Sequence, residues 1–273
     1  MLHDKETNVV YFSEWLAKDH KKFYEDLTNI LNEQKIAHRL LHHTKDYWVR
    51  DFMPIQLSQN DFLKYKYQPS YLSSHITDCE KACDEISIKF RKTDIIIDGG
   101  NMVPCGDYII MTDKVFTENG YDKGNLKFRQ KLETELKHPV IIIPWHKNYD
   151  DIYGHADGFV KWCGGNKVLM SNHRETDPKE AQQICDELTK HGFEVTEMSY
   201  KLENPTPKYN WAYINFLQVG CHIIMPKFDI EEDDIAKCFI QKAFPDCDIR
   251  MIEMKYFAGK GGALHCLSWN IKV

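Results

Sequence analysis

The sequence predicts an α/β fold built from one unit that repeats along the chain. Strand-like and helix-like patterns alternate throughout, and such alternation is typical of folds in which helices cover sheets. The segment Gly106–Met111 resembles Gly165–Met170, and both resemble Gly220–Met225. The three segments recur at intervals of about 55–60 residues, which is typical of units arranged around an axis or stacked in a row.

Two further segments extend this repeat. Gln59–Leu63 is a fainter relative, and Gly262–Ile271 could supply a fifth unit. A match of one glycine and a few aliphatic residues is loose, so unrelated strand–turn–strand segments remain the alternative explanation. No stretch rich in Pro, Gly or Ser divides the chain. We therefore expect residues 1–273 to form a single domain.

The individual elements follow from local patterns. Val9–Phe12 predicts a short strand, and Ser13 is a suitable N-cap for the helix that follows. The apolar face of that helix carries Leu16, Phe23, Leu27, Ile30 and Leu31. Apolar spacing predicts further helices near residues 76–90, 125–137, 178–191 and 231–244.

Composition excludes several classes of protein. The 273 residues are 42% hydrophobic and 28% charged, which is ordinary globular usage and excludes a disordered or fibrous chain. The formal net charge is −6, so no basic surface predicts a nucleic-acid or anionic-membrane partner. An acidic chain is compatible with a cationic substrate.

The cysteines and the N-terminus indicate the cellular setting. Nine cysteines are present, an odd number, and no CxxC pair occurs, which disfavours a disulfide framework and a zinc ribbon. The first residues are polar and predict no signal peptide. Aliphatic runs such as Val140–Ile143 are too short to cross a bilayer. We expect a cytoplasmic protein without a membrane partner.

Polar residues that could carry chemistry lie beside small residues at predicted strand ends. Such loops on a rigid scaffold are where catalytic groups usually lie. The four segments are Tyr47–Pro54, Asp98–Asn101, His155–Phe159 and Gly261–Cys266.

Each of these segments also has an ordinary structural explanation. Asp51 could pair with Arg50 at the surface, Asp98 could belong to a simple Asp-Gly turn, and His155 could be a core histidine. Cys266 is one of nine cysteines, and buried cysteines are mostly inert. Together, however, carboxylates, a histidine and a cysteine form a working nucleophile set. The residues alone therefore predict a cysteine-dependent hydrolase.

The segments resemble, in the correct order, the motifs of the agmatine deiminase and bacterial peptidylarginine deiminase family of the pentein superfamily. Trp48–Pro54 approaches the family pattern WxRDxGP, and His155–Asp157 matches HxD. Asp98–Asn101 matches the acidic-Gly-Gly-Asn turn, and Lys260–Cys266 matches GGGxxHC. Tyr213–Phe216 also resembles a family segment. Four motifs in order are a much stronger signal than any one of them.

The resemblance implies a five-bladed α/β propeller of ββαβ units, the pentein fold, in agreement with the repeat. Two residues depart from the family motifs. Met53 stands where the family has glycine, so the backbone beside Asp51 is expected to differ. Lys260 replaces the first of three glycines before the cysteine.

The resemblance also implies roles for individual residues. Asp51 and Asp157 would hold a planar guanidinium through paired, charge-assisted hydrogen bonds. Cys266 would attack the guanidino carbon as a thiolate, favoured by its neighbours or by the bound cation. His155 would give a proton to the departing ammonia and then activate water. Asp98 would orient His155.

Two more residues are expected to contact the substrate. Asn215 is predicted to be a minor polar contact in the site. Trp48 is predicted to line the pocket and stack on the substrate cation, although a buried structural tryptophan is an equal alternative.

The implied activity is hydrolysis of a guanidino compound to a ureido compound and ammonia through an amidino-cysteine intermediate, without a cofactor or metal. Agmatine or a related amine is the predicted substrate. Among the six arginines, only Arg174 is placed where it could bind the α-carboxylate of arginine.

Other functions remain open. Within the superfamily they are a peptidylarginine deiminase, a free-arginine deiminase and an amidinotransferase. Outside it they are a non-catalytic binder of guanidino ligands, which would not need both Cys266 and His155, and a metalloprotein. The metal would use His155, Asp157, Cys79 and Cys83, whose spacing matches no known ligand set. The sequence does not decide whether the chain forms a homo-oligomer.

Overall fold

Five three-stranded sheets are formed by the described residues, which in this computed structural model are 1–74, 76–147, 151–200 and 211–273. In each sheet the middle strand is antiparallel to one neighbour and parallel to the other. The strands are β1 Val9–Ser13, β2 Ala37–Leu41, β3 Ile55–Ser58, β4 Asp61–Lys66, β5 Arg91–Ile96, β6 Val103–Cys105, β7 Tyr108–Thr112, β8 Val140–Ile143, β9 Val160–Gly164, β10 Lys167–Met170, β11 Glu194–Glu197, β12 Leu217–Val219, β13 His222–Lys227, β14 Asp248–Glu253 and β15 Trp269–Ile271.

Four of the sheets use three consecutive strands, β3–β4–β5, β6–β7–β8, β9–β10–β11 and β12–β13–β14. The antiparallel pair is joined by a short turn, and the parallel pair by a crossover that contains a helix. Each sheet with its helix is thus a ββαβ unit. The fifth sheet has the order β15–β1–β2 and pairs Val9 with Ile271. The prediction that Gly262–Ile271 contributes to a fifth unit is confirmed, with β15 as an edge strand.

The repeated glycines lie in the hairpin turns ahead of β7, β10 and β13. Gly106, Gly165 and Gly220 have φ values of 59°, 55° and 58°. This left-handed region is accessible to glycine at little cost and is unfavourable for other residues. The similarity of the three segments therefore reflects one turn geometry used three times.

Helices occupy the crossovers and the segments ahead of the sheets. Within the described residues the α-helices are α1 Glu14–Asp19, α2 Lys21–Glu33, α3 Val49–Phe52, α4 Glu80–Glu85, α5 Lys114–Glu118, α6 Leu126–Leu136, α7 Pro178–Lys190, α8 Glu232–Ala243, α9 Lys255–Ala258 and α10 Leu264–Leu267. The 3-10 helices are Asp4–Glu6, Gly99–Asn101, Ala156–Gly158, His173–Glu175 and Trp211–Ile214.

Two helical predictions need correction, whereas α6, α7 and α8 confirm theirs. Ser13 accepts a hydrogen bond from the Trp15 backbone N–H at 3.1 Å, as predicted for an N-cap. The single helix predicted after Ser13 is divided into α1 and α2, because His20 leaves the helical region with φ −129° and ψ 48°. The helix predicted near residues 76–90 is limited to α4, and Ser87 just after it has φ 60°.

Neighbouring sheets are held together by shared apolar clusters. Ile110 and Ile141 from one sheet, for example, pack in the same buried cluster as Val160 and Val168 from the next. Burial of this kind is the main favourable contribution to folding. Among the described residues, no helix has the length and apolarity needed to span a bilayer.

Candidate active site

Five short helical turns occupy equivalent places, each directly ahead of the edge strand that runs antiparallel to the middle strand of its sheet. Neighbouring turns contact one another, and hydrogen bonds pass between them. The motif segments of the sequence fall on these turns, so the fold brings the predicted site residues together. The central turns, as we call them, are Val49–Phe52, Gly99–Asn101, Ala156–Gly158, Trp211–Ile214 and Leu264–Leu267.

Gly100 allows two of these turns to meet closely. Its backbone N–H donates to Asp51 Oδ1 at 3.0 Å. A Cβ atom at this position would lie 2.7 Å from His155 Nδ1 and 2.9 Å from Asp51 Oδ1. The second glycine of the Asp-Gly-Gly-Asn motif is therefore required by its close packing against the site.

His155 lies between two carboxylates. Its Nε2 is 2.9 Å from Asp98 Oδ2, and its Nδ1 is 3.6 Å from Asp51 Oδ1. Burial lowers the pKa of His155, but the charges of Asp51 and Asp98 outweigh it and raise that pKa to about 9. The ring is therefore an imidazolium at neutral pH and can donate a proton.

Asp51 is a buried carboxyl group in an acidic surrounding. Burial raises its pKa to about 7, with contributions from Asp98 and Asp157 and against the opposing charge of His155. Near neutral pH the group is thus divided between its neutral and ionised forms. A bound cation would favour the carboxylate.

Sequence reasoning missed Lys114, which is 2% exposed and donates to Asp98 Oδ2 at 2.5 Å. Despite burial, the hydrogen bond from His155 and the charge of Lys114 keep the pKa of Asp98 below its ordinary value. A lysine at the start of a short helix normally predicts an exposed side chain, so no local signal identifies it. Asp98 therefore binds two donors, one of which is the predicted partner His155.

Cys266 lies on the last central turn, Leu264–Leu267, and is 5% exposed. Its backbone N–H donates to Asn215 Oδ1 at 3.2 Å, and its Sγ is 3.9 Å from Asp157 Oδ2. Burial, together with the charges of Asp157 and Asp51, raises the pKa of the thiol well above its ordinary value. The free protein therefore holds Cys266 as a thiol.

His265 is a second buried histidine, which the motif contains but for which no role was predicted. Its Nδ1 lies 2.6 Å from Asp157 Oδ2. Burial lowers the pKa of His265 to about 4, together with the charges of Arg50 and Lys161. The neutral ring donates its Nδ1–H to Asp157, and despite burial this hydrogen bond holds the pKa of Asp157 below its ordinary value.

Asn215 and Trp48, the two further predicted contacts of the substrate, differ in burial and in their neighbours. Asn215 is fully buried, and its Nδ2 donates to the Asp157 backbone oxygen at 3.4 Å. It therefore braces the turns of Cys266 and Asp157, and its contact with substrate stays a prediction. Trp48 is half-buried over Gly262, where a Cβ atom would lie 2.1 Å from a ring carbon.

The two departures from the family motifs are accommodated. Met53 is buried with φ −77° and ψ 148°, an extended backbone that any residue adopts. The expected change of backbone beside Asp51 is therefore not required by the methionine. Lys260 is exposed, and its backbone oxygen accepts a hydrogen bond from Tyr153 at 3.5 Å.

Within the described residues, one group of three His, Cys, Asp or Glu side chains has its ligand atoms within 4.8 Å of one another. It consists of His146, Asp177 and Glu180, none of which belongs to a central turn. Asp177 caps α7, and Glu180 accepts from His173, so these contacts have structural explanations. The grouping of His155 and Asp157 with Cys79 and Cys83 is not among such groups.

The chain is similar to known agmatine deiminases in sequence and in fold. It is 23% identical to the agmatine deiminase of Pseudomonas aeruginosa (strain LESB58) over 215 residues, 66% of this chain and 58% of the relative. Identity to the agmatine deiminase of Pseudomonas fluorescens (strain SBW25) is 38% over 207 residues, 63% of this chain and 56% of the relative. The chain thus spans less than two thirds of the length of these curated relatives.

The structure of the C. jejuni agmatine deiminase superposes with a TM-score of 0.76 at 18% identity, covering 100% of this chain and 96% of that one. This likeness confirms the predicted fold, a five-bladed α/β propeller of the pentein type. The family model of the Porphyromonas-type peptidyl-arginine deiminases matches residues 5–271 of this chain. The chain therefore belongs to the Porphyromonas-type peptidyl-arginine deiminase family.

Proposed function

We propose that the protein is a deiminase that hydrolyses the guanidino group of agmatine or a related amine to a ureido group and ammonia. The observation that carries the proposal is the ring of central turns, where a buried cysteine and a buried histidine meet three buried aspartates. Buried carboxylates without a bound cation are costly, and a guanidinium matches their charge and planar geometry. Relatives named agmatine deiminase have the same fold.

Asp51 and Asp157 are the proposed partners of the guanidinium. Both are buried, and Asp51 Oδ1 and Asp157 Oδ1 lie within contact of the same point, a Cβ position on Gly100, at 2.9 and 3.2 Å. Two carboxylates that converge in this way can each accept N–H groups from one planar cation. Binding of the cation would lower the pKa of Asp51 and of Cys266.

The first half of the reaction joins substrate and enzyme. The Cys266 thiol gives its proton to solvent when the cation binds; its sulfur then bonds to the guanidino carbon, and one C–N bond breaks. His155 delivers its proton to the departing nitrogen, which leaves as ammonia. The high pKa of the thiol in the free protein supports the alternative in which the bound cation favours the thiolate.

The second half releases the product. A water molecule gives a proton to His155 and bonds to the amidino carbon, and the carbon–sulfur bond breaks. The ureido compound leaves, and Cys266 is restored. Asp98, which accepts from His155 Nε2, orients the ring for both proton transfers.

The arginines support a substrate without an α-carboxylate. Arg174, the one predicted candidate for binding a carboxylate, donates to both oxygens of Glu197 at 2.6 and 2.8 Å. Arg50 donates to the backbone oxygen of His265 and to Asn270, and so acts structurally. A decarboxylated substrate such as agmatine needs no arginine of this kind.

A panel of guanidino compounds tests the proposed function. Agmatine, arginine, short arginyl peptides and methylated arginines are incubated with the protein, and ammonia and ureido products are measured. We expect agmatine to be turned over at least about tenfold faster than arginine, a difference of about 1.4 kcal/mol. A preference for arginine that is lost in Arg174→Ala would instead indicate a carboxylate-binding deiminase.

The same assay separates the other candidates. Ammonia release without any added amine acceptor contradicts an amidinotransferase. Binding of guanidino compounds without turnover of any of them would indicate a ligand-binding protein and contradict the proposed function.

A further inference from the structure

Lys114 is almost completely buried beside the proposed reaction centre. Its Nζ contacts Asp98 Oδ2 and lies 4.6 Å from the centre of the Tyr71 ring. Buried lysines are rare because an ammonium loses its hydration, and those that occur are paired. The family motifs and the proposed steps give Lys114 no part, although it touches the carboxylate that orients His155.

The contacts of Asp98 are uneven. Its Oδ2 accepts from both Lys114 and His155, at 2.5 and 2.9 Å. Its Oδ1 is buried and has no hydrogen-bond partner within the part of the chain that the structure describes. Because both donors use one oxygen, the charge of Asp98 that His155 experiences is shared with Lys114.

We propose that Lys114 is a positioning residue that shares the Asp98 carboxylate with His155 and so allows His155 to release its proton between the two halves of the reaction. This proposal rests on the proposed deiminase function. Without Lys114, the full charge of Asp98 would face His155, and the neutral ring left after ammonia departs would be reprotonated by solvent more readily.

Among the described titratable groups that face His155, Lys114 alone can offset the charge of Asp98. Burial and Lys114 lower the pKa of His155, whereas Asp51 and Asp98 raise it. The titratable groups that face the ring are Asp51 from α3, Asp98 ahead of the Gly99–Asn101 turn, Lys114 from α5, the phenols Tyr71 and Tyr153, and Asp157 from its own turn. In this set Lys114 is the one cation.

The proton balance shows which step depends on Lys114. In the first half, His155 gives its proton to the departing ammonia, and a stronger pair with Asp98 still leaves a proton to give. In the second half, the neutral ring must take a proton from water as the C–O bond forms and the C–S bond breaks. If solvent reprotonates the ring before water attacks, the ring cannot take the proton of that water, and water is not activated. Loss of Lys114 is therefore expected to slow hydrolysis of the amidino-cysteine most.

Three substitutions separate charge from hydrogen bonding at this position. Lys114→Met removes both, Lys114→Gln keeps a donor without charge, and Lys114→Arg keeps the charge. In the Met and Gln variants we expect a rapid release of about one ammonia per protein followed by slow turnover, with the amidino adduct on Cys266 seen by mass spectrometry. We expect Lys114→Arg to turn over without this accumulation.

A second measurement does not require activity. Histidine ring nitrogens are titrated by NMR in ¹⁵N-histidine-labelled protein, with the His155 signal assigned from its loss in His155→Gln. We expect the His155 midpoint to rise by about one pH unit in Lys114→Met and Lys114→Gln, because a neighbouring cation is lost. If Lys114→Met does not fold, Lys114→Gln is measured in its place.

Lys161→Met is the matched control, since Lys161 is also a buried lysine paired with an aspartate, Asp4, but does not touch Asp98. In Lys161→Met, the midpoint of the His155 titration should stay at the wild-type value. An unchanged midpoint in both Lys114→Met and Lys114→Gln overturns the proposal, and so does lower activity without accumulation of the adduct. Absence of turnover in the wild type would contradict the deiminase function, while the NMR result would still decide whether Lys114 acts on His155.

Discussion

His155 and His265 are two buried histidines of one site, and each contacts an aspartate, yet they carry different charges. His155 Nε2 lies 2.9 Å from Asp98 Oδ2, and His265 Nδ1 lies 2.6 Å from Asp157 Oδ2. Burial lowers the pKa of both rings, but the pKa of His155 is raised to about 9 and that of His265 is lowered to about 4.

The difference lies in the next neighbours. Each ring has a second carboxylate near its other nitrogen, Asp51 at 3.6 Å from His155 and Asp4 at 3.8 Å from His265. The carboxylate of Asp4 is paired with Lys161, and besides burial the cations Arg50 and Lys161 lower the pKa of His265. Despite burial, Asp51 instead raises the pKa of His155. One histidine–aspartate contact therefore provides a proton that can be transferred, and the other provides a fixed N–H that orients Asp157. The sign of the charge around a contact, rather than the contact itself, decides its chemical use.

The largest effect is expected at the cysteine on the His265 side. Cys266→Ser should lower kcat/KM by about 10⁴-fold or more, because serine is not ionised in this surrounding. A haloacetamidine, which carries a guanidinium-like cation, should label Cys266 in the wild type before the other eight cysteines. Peptide mapping by mass spectrometry measures this. Equal labelling of several cysteines, or an active serine variant, would contradict the assignment.

Replacing each histidine in turn tests the comparison directly. His155→Gln should lower kcat by about 10²–10⁴-fold, because general acid–base catalysis is lost. His265→Gln can still donate an N–H to Asp157, so we expect a loss of about tenfold or less, mainly in KM. Steady-state kinetics on both variants decides this. Equal losses in kcat would mean that the two rings do not differ in role.

Replacement of the three buried aspartates should also distinguish substrate binding from proton transfer. Asp51→Asn and Asp157→Asn each remove a charge that faces the guanidinium, so kcat/KM should fall by about 10²–10³-fold, equivalent to a few kcal/mol. Asp98→Asn should act mainly on kcat, through His155. Wild-type behaviour of Asp157→Asn would show that the HxD aspartate does not bind substrate.

The pH profile should have two limbs that both come from the His155 side. Asp51, with a pKa of about 7, binds the cation when ionised, so kcat/KM should rise with pH up to about 7. His155, with a pKa of about 9, must be protonated, so kcat/KM should fall above about pH 9. In Asp51→Asn the acidic limb should disappear from the residual activity. A limb near pH 4 in its place would assign the titration to the other histidine.

The smallest effect on activity is expected on the far side of His265. Asp4 Oδ2 lies 3.8 Å from His265 Nε2, and Asp4 also pairs with Lys161. Asp4→Asn leaves His265 neutral, so kcat/KM should change by about threefold or less, whereas breaking a buried pair should cost about 3 kcal/mol of unfolding free energy. Urea unfolding beside kinetics measures both. A large loss of activity with unchanged stability would give Asp4 a direct role.

The sequence predicted those parts of the site that follow from residue type and order. Cys266, His155 and Asp51 lie on motif turns, and the fold brings these turns together because each precedes an equivalent strand. The repeat could be predicted because Gly106, Gly165 and Gly220 have a left-handed backbone, which favours glycine at each of these turns.

Other features depend on contacts between distant residues and leave no local mark. Lys114 is buried because Asp98, 16 residues away, lies within 2.5 Å of its Nζ. The different charge states of His155 and His265 depend in the same way on groups from distant parts of the chain. The break at His20 escaped prediction because apolar spacing continues on both sides of it.

The pairing of β1 with β15 has a consequence for how activity arises during protein synthesis. Cys266 precedes β15 by only a few residues, and β15 is held in its sheet by β1, more than 250 residues earlier in the chain. The thiol therefore reaches the carboxylates of the other turns only after residues 9–271 have been made and β1 has paired with β15. Under the proposed function, a chain that lacks β15 would not hold the assembled site, so the appearance of deiminase activity would report the pairing of β1 with β15.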